Sequence, residues 1–213
     1  MSLEIHLNHI GKRYASQWIL KNVNWELTKY KKYAILGSNG SGKSTLLQII
    51  SGFISPTEGQ ITWNARSKTI ERDSIYKYIS LCTPASQLHN EWTVAENIEF
   101  HQRFKVIQKP LKEILHTAML VHHGDKKFRH LSSGMQQRLK LTLACLTQCD
   151  LLLLDEPCSH LDFQGIEWYK ELLRHSAENK TLVIASNSNK DEIFLCEENY
   201  TIESPQTNDG GAS

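Results

Sequence analysis

The chain has 213 residues, 40% of them hydrophobic and 22% charged, with a formal net charge of +1. That balance suits one α/β domain with an inserted subdomain and excludes the dense positive field of a nucleic-acid-binding surface. No stretch nears the roughly 18 to 20 consecutive apolar residues of a membrane-spanning helix, and residues 1–4 carry no mark of a secretion signal, so the expected location is the cytoplasm.

In chain order, Leu3, Ile5 and Leu7 alternate with Glu4 and His6, and Val23, Trp25 and Leu27 alternate with Asn24 and Glu26. Both segments read as half-buried strands of period 2. Gly11, Lys12, Arg13 and Tyr14 lie between them and read as a loop presenting an aromatic ring. Tyr33, Ala34, Ile35 and Leu36 then form a short apolar strand, and it feeds the most informative stretch of the chain.

That stretch is Gly37-Ser38-Asn39-Gly40-Ser41-Gly42-Lys43-Ser44-Thr45, a full match to the phosphate-binding pattern G-x-x-x-x-G-K-[ST]. Glycines let the backbone turn sharply and aim successive N–H groups at phosphate oxygens. A helix starting near Gly42 adds the positive end of its dipole. Lys43 supplies a mobile cation for the outer phosphates, and the Ser44 hydroxyl can ligate Mg²⁺. The chain is therefore expected to bind a nucleoside triphosphate.

The helix should end near Ser51 and Gly52, with a turn over 55–59 and further strands at Ile61-Thr62-Trp63 and at 78–81. From about Pro84 the pattern becomes helical. Thr93 and Glu96 have the spacing of a capping box before Val94, Ile98 and Phe100, and amphipathic helices follow over 110–120 and 135–147. Strand character returns at 151–154 and 181–185, in continuous apolar runs suited to a parallel sheet covered on both faces, with a crossover helix over 166–175. The tail, 205–213, reads as disordered. Cys82, Cys145, Cys149, Cys158 and Cys196 are odd in number and lack C-x-x-C spacing, so they read as buried, reduced thiols.

Leu151 to Leu154 end in Asp155 and Glu156, an apolar strand closed by two carboxylates. With the phosphate loop upstream this suits a Walker B strand: Asp155 would hold Mg²⁺ through water, and Glu156 is placed to polarise the attacking water as general base. Leu131-Ser132-Ser133-Gly134-Met135-Gln136-Gln137-Arg138 then resembles the LSGGQ-type signature of the ABC ATPases, and Pro157-Cys158-Ser159-His160-Leu161-Asp162 resembles their segment ending in the D-loop. The resemblance runs from Leu3 to about Ile202 with the motifs in the family's order.

The resemblance implies an α/β P-loop NTPase with a RecA-like, mostly parallel sheet core, an N-terminal antiparallel β subdomain and an inserted helical subdomain. One domain would span 1–204, its core about 1–83 and 148–204 and its helical subdomain about 84–147. ATP and Mg²⁺ are the implied ligands. Tyr14 takes the place of the aromatic that stacks on adenine, with Trp18 a weaker candidate. Ser132, Ser133 and Gly134, with Asp162 nearby, would close on the γ-phosphate of a nucleotide held by a second ATP-binding subunit, identical or different. The other implied partner is an integral membrane permease, which puts the chain on the inner face of the membrane; nucleic acid is not a partner.

Two positions depart from the family's pattern. The strand ending at 185 should be followed by a histidine that contacts the γ-phosphate, and Asn187 stands there; it can donate a hydrogen bond but cannot carry an imidazolium charge. The glutamine that joins core to helical subdomain and touches Mg²⁺ falls at Pro84 or Ala85, and Gln87 is its candidate through a shifted loop. Slow hydrolysis is the expected consequence at Asn187. A soluble clamp acting in regulation or DNA maintenance is the alternative function, but such relatives carry two ATPase halves or a long coiled coil between loop and signature, and no heptad run is found here.

Overall fold

Alternation along the buried strands sets the layers of this protein. The computed structural model describes residues 3–65 and 68–202; the tail expected to be disordered lies outside them. The first half contains β1 (Leu3–Tyr14), β2 (Gln17–Leu27), β3 (Lys32–Leu36), α1 (Lys43–Ile50), β4 (Glu58–Ala65), β5 (Lys68–Ile70) and β6 (Ile79–Cys82). The second contains α2 (Val94–Phe104), α3 (Leu111–Thr117), α4 (Ser133–Leu146), β7 (Leu151–Asp155), α5 (Phe163–Ser176), β8 (Thr181–Ser186) and β9 (Glu198–Thr201).

β2, β1, β4 and β5 form an antiparallel sheet in that order, and β6, β7, β8, β3 and β9 form a second sheet whose pairs are all parallel. Leu151, Leu153, Val183 and Ala185 face one way and pack with Leu46, Leu47, Ile49 and Ile50 of α1 and with the inner face of the antiparallel sheet. Leu152, Leu154, Leu182 and Ile184 face the other way, against Leu141 and Ala144 of α4 and Tyr169, Leu172 and Leu173 of α5. Both faces are covered, which is why these strands read as unbroken apolar runs. A third core gathers Val94, Ile98, Ile114, Leu115, Phe128, Leu139 and Leu143 beneath α2, α3 and α4.

The capping box is present: the Glu96 N–H donates to Thr93 Oγ1 at 3.1 Å, and the Thr93 N–H to Glu96 Oε2 at 2.7 Å. Two expectations are corrected. Residues 11–14 are not a loop, because β1 runs on to Tyr14 and turns directly into β2. Register shifts near Leu7, Ile10 and Lys12, with His9 at φ 52°, break the period-2 alternation and hide the strand. Gly59 meets that irregular stretch in β4: at φ +81° its added Cβ would lie 2.3 Å from the His9 carbonyl oxygen, so only glycine fits. The helix read over 110–120 is shorter, ending at Thr117 before Met119 takes a φ of 57°.

Candidate active site

The site follows from strand order. β8 lies between β7 and β3, with Leu36 opposite Ser186 and Asp155 opposite Ala185. The loops leaving the carboxyl ends of these three strands therefore emerge side by side, where open α/β sheets bind ligands. They are the phosphate loop, the Asp155-Glu156 turn and the segment that opens with Asn187.

Gly42 caps α1 at φ 106°, and a Cβ there would meet Ile19 Cγ2 at 2.8 Å and Leu20 Cδ2 at 3.0 Å. The β2 side chains thus press the loop from below and reserve this position for glycine. Lys43 is buried; its ammonium donates to the carbonyls of Gly37 and Ser38, each at 3.0 Å, and to Asn187 Oδ1. The Asn187 amide donates to Asn39 Oδ1 and, at 3.2 Å, to Glu156 Oε1. One asparagine side chain therefore touches the loop lysine, the loop asparagine and the second carboxylate.

Asp155 is 3% exposed, and its Oδ1 has no hydrogen-bond partner. Burial raises its pKa above the ordinary 3.8 and Glu156 adds to that, while a hydrogen bond from Ser44 and the charge of Lys43 act against it. A buried carboxylate oxygen left unpaired beside a hydroxyl is a hard, anionic oxygen set, and it fits a magnesium ion. Glu156 sits at φ 45°, a conformation that costs a non-glycine residue about 1–3 kcal/mol. Its N–H donates to the Ala185 carbonyl at 2.9 Å. The four leucines before it are fully buried, at about 1.5–3 kcal/mol each, enough to hold the turn in place.

A cleft of about 380 Å³ is lined by Tyr14, Ile19, Asn39, Gly40, Gly42, Lys43, Ser44, Thr45 and Glu156. Tyr14 is 47% exposed at the β1–β2 turn, and the Lys12 ammonium lies 5.1 Å from its ring centre. Trp18 is not in this lining; the Arg13 guanidinium covers its ring at 5.3 Å. Ser41 is buried below the loop, where its N–H donates to the Ser38 carbonyl at 3.1 Å. Ile19 is a lining residue that the sequence did not disclose, since an aliphatic residue in a strand looks like any core position.

Other predicted residues lie elsewhere in the chain. Ser132 caps α4, its Oγ accepting from the Met135 N–H at 3.3 Å, and both Ser132 and Ser133 are exposed. Gly134 lies against the 157–162 segment, since a Cβ there would come within 3.0 Å of the His160 carbonyl oxygen. Asp162 caps α5 through a 2.8 Å bond from the Gly165 N–H. Gln87 is exposed and lines a separate cleft with Cys82, His101 and Lys140. None of these five residues lines the phosphate cleft.

Comparison with known proteins places the chain in a family. Residues 20–159 match the family model described as ABC transporter. An uncharacterised ABC transporter ATP-binding protein of Bacillus subtilis, YybJ, is 30% identical over 91% of this chain and 89% of its own. The taurine import ATP-binding protein TauB of Pelagibacter ubique is 33% identical over 92% of this chain and 76% of its own. Among solved structures, the dimeric bacterial ABC transporter cassette MJ0796 superposes with a TM-score of 0.81 at 27% identity, covering 94% of each chain; another structure of that cassette holds ADP and Pi in a post-hydrolysis state. With its phosphate loop, carboxylate pair and signature helix on this fold, the chain belongs to the ABC transporter family, as an ATP-binding, ATP-hydrolysing cassette.

Proposed function

We propose that the chain is the ATPase subunit of a transporter whose solute path lies in a separate membrane permease, and that it turns ATP over slowly. Among the described residues no helix is long and apolar enough to cross a membrane. Relatives named for taurine import and for lantibiotic transport support a transport role. The permease docks on the helical subdomain, about 84–147, at the stretch ending with α2. Phe100 and Phe104 are exposed there, and Trp92, Glu96, Glu99 and Arg103 line a shallow cleft with Phe100. The chain then sits on the inner face of the membrane.

The proposed chemistry uses the cleft as follows. Tyr14 stacks on adenine, a contact worth about 1–3 kcal/mol. The N–H groups of the loop from Gly37 to Thr45 and the start of α1 hold the phosphates, and Lys43 turns its ammonium from loop carbonyls to the outer phosphates. Ser44 and Asp155 would hold Mg²⁺, which neutralises charge on the phosphates when bound. Glu156 accepts the proton of the attacking water, and the Asn187 amide orients Glu156 and donates to the γ-phosphate. Ser132, Ser133 and Gly134, absent from the cleft of their own chain, close over the phosphate held by a second cassette, in a head-to-tail pair.

The observation that carries this reading is the contact of Asn187 with Lys43, Asn39 and Glu156 at once. A neutral amide donates but brings no positive charge to the developing phosphate charge, so hydrolysis proceeds below the rate an imidazolium would support. Asn187→His is expected to raise steady-state ATP turnover several-fold. An unchanged or lower rate in a folded variant contradicts the assignment.

A further inference from the structure

One buried acid lies behind the cleft and takes no part in the steps above. Glu192 is 4% exposed, and its two carboxylate oxygens are shared between two elements. Oε1 accepts from the backbone N–H of Cys158 at 3.1 Å, and Oε2 accepts from the Ser186 hydroxyl. Its own backbone is anchored as well, since the Tyr169 hydroxyl of α5 donates to the Glu192 carbonyl at 3.0 Å.

The positions of these partners give the arrangement its meaning. Cys158 is two residues after Glu156, and Ser186 immediately precedes Asn187. The adjoining peptide is tied too: Gln137 of the signature helix donates to the Pro157 carbonyl at 3.0 Å. Leucine would fill the same space without taking a carboxylate out of water, and burial indeed pushes the Glu192 pKa up, against the bonds from Ser186 and Cys158. What leucine cannot do is accept from two loops at once. A carboxylate accepts from both donors in one rigid plane and fixes their separation.

We propose that Glu192 is a positioning residue for hydrolysis: by holding the Cys158 N–H and the Ser186 hydroxyl together, it sets Glu156 and Asn187 at the separation the reaction needs. It does not line the phosphate cleft. The proposal rests on Glu156 and Asn187 acting at the reacting phosphate, and a misplacement of about 1 Å there can cost on the order of a hundredfold in rate.

The test compares variants that separate tying from filling. Glu192→Leu keeps the volume and removes both acceptors; Glu192→Gln keeps an acceptor for Cys158 and can donate to Ser186 Oγ. The proposal expects Glu192→Leu to lower kcat for ATP about tenfold or more, with the equilibrium Kd for ATP within about twofold, and Glu192→Gln to stay within about threefold of wild type. In an Asn187→Ala background, Glu192→Leu should lower kcat less than about twofold further, since its effect passes through the Asn187–Glu156 pair. Folded Glu192→Leu with kcat within about twofold of wild type overturns the proposal, as does a Kd rising in step with the fall in kcat, or an undiminished loss in the Asn187→Ala background. Should Glu192→Leu not fold, Ser186→Ala removes one of the two ties: a fall in kcat of about threefold or more at unchanged Kd supports the proposal, and wild-type kcat overturns it. If Asn187→Ala alone leaves kcat unchanged, the reading of the site fails instead.

Discussion

At the scale of single residues, the site is held together by groups that would be costly anywhere else. Asp155 is the clearest case, a buried carboxylate with one unpaired oxygen. Its folded pKa lies above the ordinary value of 3.8, chiefly through burial. As pH rises past 3.8 the unfolded chain releases this proton first, so the group's contribution to stability falls until the folded pKa is passed and then stays low. Asp155→Asn removes that penalty. The variant is expected to melt above wild type at pH 7, with a difference larger at pH 7 than at pH 4, while ATP hydrolysis is lost; thermal melts at the two pH values check the sign, and a difference that shrinks toward pH 7 contradicts it. Glu156 carries a second cost in its left-handed backbone, and Asn187 is a third choice in which hydrogen bonding is kept and charge given up.

At the scale of elements, strong periodicity was legible and weak periodicity was not. The runs at 33–36, 151–154 and 181–185 could be read because a parallel strand covered on both faces has apolar residues throughout. β9 escaped because its four residues, Glu198 to Thr201, include none that is fully buried; it is held by backbone pairing to β3. β5 is three residues long and meets the core only through Ile70. The end of β1 was misread as a loop because its irregular register erased the alternation that identifies a strand. Caps were the more reliable local signal, as Thr93 and Glu96 illustrate. Thr93→Ala removes one half of that box and should cost about 0.5–2 kcal/mol of unfolding free energy. Urea denaturation measures this, and a loss below the error of the fit would mean that α2 is held by its buried face alone.

At the scale of the whole molecule, the candidate site is an outcome of sheet order. The motifs named most of the residues in the cleft, Tyr14, Asn39, Lys43, Ser44 and Glu156 among them. No motif said that Asn187 would touch Lys43, Asn39 and Glu156 together, because that depends on β8 lying between β3 and β7. Glu192 was invisible for a similar reason: an acidic residue in a polar stretch gives no sign of burial until α5 and the Cys158 turn close over it. On the proposed mechanism the chain alone is half of a machine. Ser132, Ser133 and Gly134 open α4 on a surface away from the phosphate cleft of their own chain, so the account requires a second cassette to bring the complementary surface.

Association driven by nucleotide is therefore the most direct measurement. Glu156→Gln keeps the shape of the site and removes the base, so bound ATP should persist and hold two cassettes together. Sedimentation velocity with Mg²⁺ and ATP is expected to move this variant from monomer to dimer, and with ADP to leave it monomeric. A variant that binds ATP yet sediments as a monomer at every concentration would contradict the central claim.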